Sequence, residues 1–162
     1  MKKVICKVAD GLLILYSGAG VIFLLLVIVT TFLQVATRYF LEASFSWTEE
    51  GARYAFIWMS MMGASLATRH GSNATIDVLN SFLKGGIKRV HGIAIQLLVL
   101  LAALMIIPQG IQMVRIMMMR SSPALNIPMG YVYIAIPLGC IGIAVQCLAN
   151  LSVLAEGEKE VV

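Results

Sequence analysis

Four long apolar runs, 11–36, 50–67, 90–114 and 131–154, occupy most of this 162-residue chain. They leave little sequence for anything else. Only 12% of the residues are charged and 60% are hydrophobic, whereas a soluble domain is about 25% charged. Such a chain cannot cover its surface with solvated groups. Its solvent must be lipid. The length holds a single unit with no separate domain and no internal repeat, so the expectation is an all-α integral membrane protein of four transmembrane helices.

A bilayer core needs roughly 20 apolar residues at about 1.5 Å rise each. The first run, 11–36, contains no ionisable residue and is long enough to cross with tilt. Lys2, Lys3 and Lys7 precede it, which raises the question of a signal peptide. A signal's apolar stretch is only about 7–15 residues, so the run reads as a retained first helix. Pro108 and Pro137 fall inside the third and fourth runs. Prolines are tolerated in membrane helices because neighbours re-satisfy the freed backbone, so both predict kinks rather than loops.

Positive charge sets the expected orientation. Lys2, Lys3, Lys7, Arg69, Lys84, Lys88, Arg89 and Lys159 fall on one side, and Arg38, Arg53, Arg115 and Arg120 on the other. This places both termini and the second connection in the cytoplasm. The net charge of +4 therefore reads as topology and contact with anionic membrane lipid. No basic run with interleaved aromatics points to nucleic acid. Cys6, Cys140 and Cys147 form no CxxC or His–Cys cluster and read as small packing residues. No cofactor is expected.

The connections carry their own signals. The first, 38–48, holds Trp47 and other aromatics suited to the membrane interface. In the second, Ile76, Leu79, Phe82 and Leu83 fall near one helical face before Gly85 and Gly86. That pattern predicts an amphipathic surface helix between the second and third spans. In the third, Pro123 and Pro128 predict a stiff, extended turn.

Polar groups inside a span are expensive, so each needs a reason. Glu49 and Arg53 are spaced i,i+4, and Glu50 and Arg53 i,i+3, so either pair can meet on a helix. Thr30, Gln34 and Arg38 form a stripe on the first helix, Gln109, Gln112 and Arg115 on the third, and Gln146 and Asn150 on the fourth. Each stripe is expected to face protein, knitting the four helices or binding another membrane subunit. Gly18, Gly20 and Gly63 read as positions of close helix packing, and Met59, Met61, Met62 and Met117 to Met119 as adaptable contact filler. His70 and His91 read as solvated surface residues.

The first, third and fourth runs hold no Asp or Glu, so a proton or ion relay lacks its groups. There is no nucleophile–base pair, ligand cluster or phosphate-binding loop. The sequence describes a membrane body that supports another chain's chemistry, and no enzyme.

The run Ser46-Trp47-Thr48-Glu49-Glu50-Gly51-Ala52-Arg53-Tyr54-Ala55-Phe56-Ile57-Trp58 resembles the W-x-E-E-x-x-R-Y-x-F-x-W signature of the small membrane subunit of TRAP (tripartite ATP-independent periplasmic) transporters. Gly63-Ala64 matches that family's following G-A. Asp77 and Val78 suit the end of its H-x-x-V-D turn, although Asn73 or Ala74 stands where the histidine would be. Ser122-Pro123-Ala124-Leu125-Asn126-Ile127-Pro128 resembles its S-P-x-L-x-I-P segment, and Pro137 its later proline. The likeness runs from about Arg38 to Gly139.

The resemblance implies four spans in a bacterial inner membrane, with both termini inside. It implies a non-catalytic subunit that scaffolds and anchors a large elevator-type membrane subunit. That subunit would take up an organic anion, often a carboxylate, driven by sodium and delivered by a periplasmic substrate-binding protein. The candidate interface or docking residues are Gln34, Arg38, Trp47, Glu49, Glu50, Arg53, Trp58, Asp77, Gln109, Gln112, Pro123 and Pro128. The main rival is a self-sufficient four-helix transporter acting as a homodimer, which needs a carboxylate embedded in its first helix. A quinone-linked membrane oxidoreductase needs outer cysteine pairs or haem-binding histidines, and neither is present.

Overall fold

The computed structural model describes residues 2–40, 45–69 and 86–156. These form helices α1 (Lys2–Phe40), α2 (Ser46–Arg69), α3 (Gly86–Met117), the short α4 (Gly130–Tyr133) and α5 (Ala135–Glu156). No β-strand occurs among the described residues. Three helices are long and apolar enough to cross a membrane: Cys6–Phe40, Val90–Met117 and Gly130–Leu154. The expected second span, 50–67, lies within α2 but falls outside that apolar set. Its 24 residues are about 36 Å long at 1.5 Å rise, yet Glu49, Glu50, Arg53 and Arg69 lower its hydropathy.

The helices run antiparallel in chain order. Thr30 faces Gly51, and Gly20 faces Met62, pairing α1 with α2. Asp10 of α1 meets Arg69 at one end, while Glu50 meets the loop after α3 at the other. Gly92 lies against Leu154, and Gly110 against Ile136 and Pro137, so α3 and α5 are also antiparallel. The α1 helix packs on α2, α2 on α5, and α5 on α3, with α1 also touching α5. Among the described residues, this order gathers Lys2, Lys3, Lys7, Arg69, Lys88 and Arg89 at one end. Arg38, Arg53, Arg115 and Arg120 lie at the other.

Burial is inverted relative to a soluble protein, where large apolar side chains go inside. Ile14, Phe32 and Leu98 are 72%, 73% and 69% exposed. The largest fully buried side chains are Gln146, Asn150, Thr48, Cys147, Ser65 and Ser122. Lipid solvates the outer apolar groups, while polar groups must find partners within the protein. The α3–α5 seam is small: Ala103, Cys140 and Ala144, flanked by Leu100, Ile107, Ile136 and Ile143. Cys140, in this seam, and Cys147, further along α5, are free and buried.

The closest helix approach is made by glycines the sequence did not single out. A Cβ at Gly142 would collide with the Tyr16 ring and stand 2.7 Å from Ser65 Oγ. One at Gly139 would lie 2.8 Å from Met61 Cβ. These two positions let α5 press on α1 and α2 together. Gly18 and Gly63, expected to pack closely, face open space, and Gly20 has only ordinary contact with Met62. Their residue type was right for packing, but both open glycines point away from the neighbouring helices.

Pro108 sits inside an uninterrupted α3. Pro137 lies in the first turn of α5, where its missing N–H costs little. The helical run breaks just before it, at Ile134, and this divides α4 from α5. The predicted surface helix at 76–83 lies outside the described residues, as do Asp77 and His70. His91 is half-buried with a buried Nδ1 that has no hydrogen bond, because it sits on α3 a turn inside the bundle end, not in solvent.

Candidate functional site

The acidic pair at the start of α2 divides its labour. Glu49 accepts from Arg53 Nη2 at 2.7 Å, an i,i+4 pair whose side chains are 57% and 63% exposed. Glu50, one residue on, points a hundred degrees away on the helix and leaves Arg53 alone. Its carboxylate accepts from Ser122 Oγ, and from the backbone N–H groups of Ala124 and Leu125 at 3.2–3.3 Å. Of the two pairings the spacing allows, Glu49 with Arg53 forms, and Glu50 turns to the loop instead.

The loop that Glu50 holds is a closed hairpin, and the expected stiff, extended turn is not formed. Met129 N–H donates to Arg120 O at 2.9 Å, Ser122 N–H to Ile127 O at 2.9 Å, and Asn126 N–H to Ser122 O at 3.1 Å. Ser121 and Pro128 form an antiparallel bridge. Asn126 closes the turn at φ 52°, a left-handed conformation that asparagine tolerates better than most residues. Ser122 is fully buried under the hairpin, Pro123 is exposed and Pro128 half-buried. Two prolines and a left-handed asparagine shape the loop. Three donors aimed at one carboxylate lock it to α2.

Beside this clasp lies an open apolar groove of about 440 Å³, lined by Phe23, Tyr54, Trp58, Ile127, Tyr131 and neighbours. Trp58 stacks on Phe23 with ring centroids 5.4 Å apart, fixing α2 against α1. Trp47 is exposed at the start of α2, two and three residues before the carboxylates.

The polar stripes fare differently from one another. Among the described residues, only the last bonds one helix to another. Gln146 Nε2 donates to Ala9 O at 2.9 Å, and Asn150 Nδ2 to Thr68 O at 2.7 Å. Arg69 joins this knot, reaching Asn150 Oδ1 at 3.3 Å and Asp10 Oδ1 at 2.8 Å. On α1, Thr30 turns its hydroxyl onto its own helix at Leu26 O and Val27 O, as mid-helix threonines do. Gln34 is half-buried and Arg38 exposed. This stripe meets α2 through the Thr30 methyl at Gly51, and no hydrogen bond among the described residues carries it to another helix. Gln109, Gln112 and Arg115 are all exposed. Among the described residues they knit nothing, because Ala103, Ile107 and Gly110 already occupy the inward face of α3.

The sequence reading missed Asp10, Tyr16 and the Arg69 knot. Tyr16 donates its hydroxyl to Leu138 O at 2.7 Å. Asp10 and Arg69 lie 59 residues apart and at opposite ends of successive helices, a pairing that antiparallel packing alone could have signalled. Among the described residues, no group of His, Cys, Asp and Glu is arranged to hold a metal.

Comparison with known proteins places this architecture. A family model for the tripartite ATP-independent periplasmic transporters, DctQ component, matches residues 27–157. The isethionate TRAP transporter permease protein DctMQ of Oleidesulfovibrio alaskensis is 27% identical over 108 residues, 65% of this chain but only 17% of the relative. A Haemophilus influenzae protein carrying the name TRAP transporter small permease protein is 28% identical over 112 residues, 69% of this chain and 70% of that one. The sialic acid TRAP transporter permease protein SiaT of Haemophilus influenzae is 29% identical over 79 residues, 49% of this chain and 13% of that one. The match spans the last third of α1, all of α2, the hairpin that Glu50 clasps and all of α3 to α5. The chain belongs to the DctQ family, the small-permease component of the tripartite ATP-independent periplasmic transporters.

Proposed function

We propose that this chain is the non-catalytic small membrane subunit of a TRAP transporter in a bacterial inner membrane. All four long helices, α2 included, cross the bilayer. Both termini lie in the cytoplasm, and the clasped hairpin lies on the periplasmic side. The chain scaffolds a large elevator-type permease subunit and helps dock a periplasmic substrate-binding protein. The assembly takes up an organic anion, a carboxylate, driven by sodium.

The observation that carries this reading is the Glu50 clasp. It joins the two motifs that mark the family, at one end of the bundle, by three donors to one carboxylate. The clasp holds a shaped surface. The charge sorting between the two ends supports the orientation. The relatives support the partner: DctMQ and SiaT are far longer than the region this chain matches.

The test is uptake of labelled organic carboxylates by cells lacking this chain. Uptake of at least one should be lost, and should return when the chain is restored alongside the large permease. Proteoliposomes holding this chain alone should accumulate none. Accumulation by the lone chain would establish the self-sufficient transporter instead.

A further inference from the structure

Carboxamides inside a membrane span need partners, because lipid offers none. Within the described helices, Gln96, Gln146 and Asn150 are buried and Gln34 is half-buried. Gln109 and Gln112 alone are exposed, and neither makes a hydrogen bond among the described residues. They lie within the apolar stretch Val90–Met117. Gln112 is about 4.5 Å and Gln109 about 9 Å along the axis below Arg115, at 1.5 Å per residue. Arg115 is long enough to snorkel to the headgroups. The shorter glutamine side chain at 109 is not.

The two amides belong to a defined face. Met105, Gln109, Gln112 and Ile116 follow i, i+4, i+7, i+11 spacing, all exposed and all opposite the packed face of Ala103, Ile107 and Gly110. Met105, at 63% exposure, adds a side chain that adapts to an irregular partner. The α1 helix offers a contrast on the far side of the bundle. Its exposed positions Ile14, Leu15, Ile22, Leu25, Val29 and Phe32 are wholly apolar, which suits lipid.

We infer that the α3 face of Met105, Gln109, Gln112 and Ile116 is the seam on which the large permease subunit seats, with hydrogen-bonding groups of that subunit meeting both amides. This rests on the functional reading above. A different chain is favoured over a second copy because the DctMQ relative carries the matched region as 17% of one longer polypeptide. There the neighbour is present once per matched region.

The test is photo-crosslinking in membranes that co-express this chain with the large permease subunit of its own transporter. A benzophenone side chain is placed at Gln109 or Gln112, and as a control at Ile22 or Val29. Crosslinks to the large permease should form from α3 and not from α1. In a second arm, the Gln109→Leu/Gln112→Leu variant should insert normally yet hold the permease roughly tenfold less tightly, at about threefold per interhelical hydrogen bond. Crosslinks from α1 only, or unchanged affinity in the double variant, would overturn the seam while leaving the subunit reading intact. Crosslinks from α3 to a second copy would assign the face to self-association. Failure of the wild-type chain to hold the permease at all would overturn both readings.

Discussion

The two ends of the bundle are held by different means. At the Arg69 end, the side chains of Asp10, Arg69, Gln146 and Asn150 and the backbone carbonyls of Ala9 and Thr68 bond across α1, α2 and α5. Gln146 and Asn150 are fully buried. At the Glu50 end, one partly buried carboxylate holds the backbone of a hairpin. The first arrangement binds helix to helix and contributes to the stability of the whole bundle. The second positions a surface segment between α3 and α4. The difference separates a knot between helices from a clasp on one surface segment.

Substitutions can break this contrast, and the largest effect belongs to the region that makes the Arg69 knot possible. Gly142→Leu drives a side chain into Tyr16 and Ser65 and should cost at the upper end of the ~1–3 kcal/mol typical of overpacking. Its check is the thermal unfolding midpoint in detergent. Asn150→Leu removes the bonds to Thr68 and Arg69 and should cost about 1–2 kcal/mol by the same assay. Glu50→Gln should leave that midpoint almost unchanged. It should instead speed amide hydrogen exchange at Ala124 and Leu125 and lower uptake by the assembled transporter. A Glu50→Gln protein that unfolds early would erase the distinction between the ends. Smallest of all, Arg53→Ala should change stability by less than about 1 kcal/mol, because its pair with Glu49 is exposed. Its uptake, compared with that of Glu50→Gln, separates a docking charge from a structural one.

Much of this was legible in the sequence because a membrane reduces folding to length and hydropathy. The four long helices fall where the apolar runs lie, and Gln146 and Asn150 face protein as their polarity requires. The partner of Glu50 was hidden for a physical reason. Local spacing offered Arg53 at i,i+3, while the true partner is Ser122, 72 residues away. Helical periodicity carries no information about a loop that folds back. The glycines failed similarly: Gly18, Gly63, Gly139 and Gly142 are alike in sequence, and only helix rotation decides which meet a neighbour. The α3 amides were expected to face protein. Among the described residues the structure shows no partner for them, and the seam proposed above assigns that partner to another chain.

The most direct measurement is the mass of the assembly released from native membranes in mild detergent, read by native mass spectrometry on affinity-purified chain. The account predicts one copy of this 17.6 kDa chain bound to one much larger permease. A homodimer, or the chain alone, would contradict it.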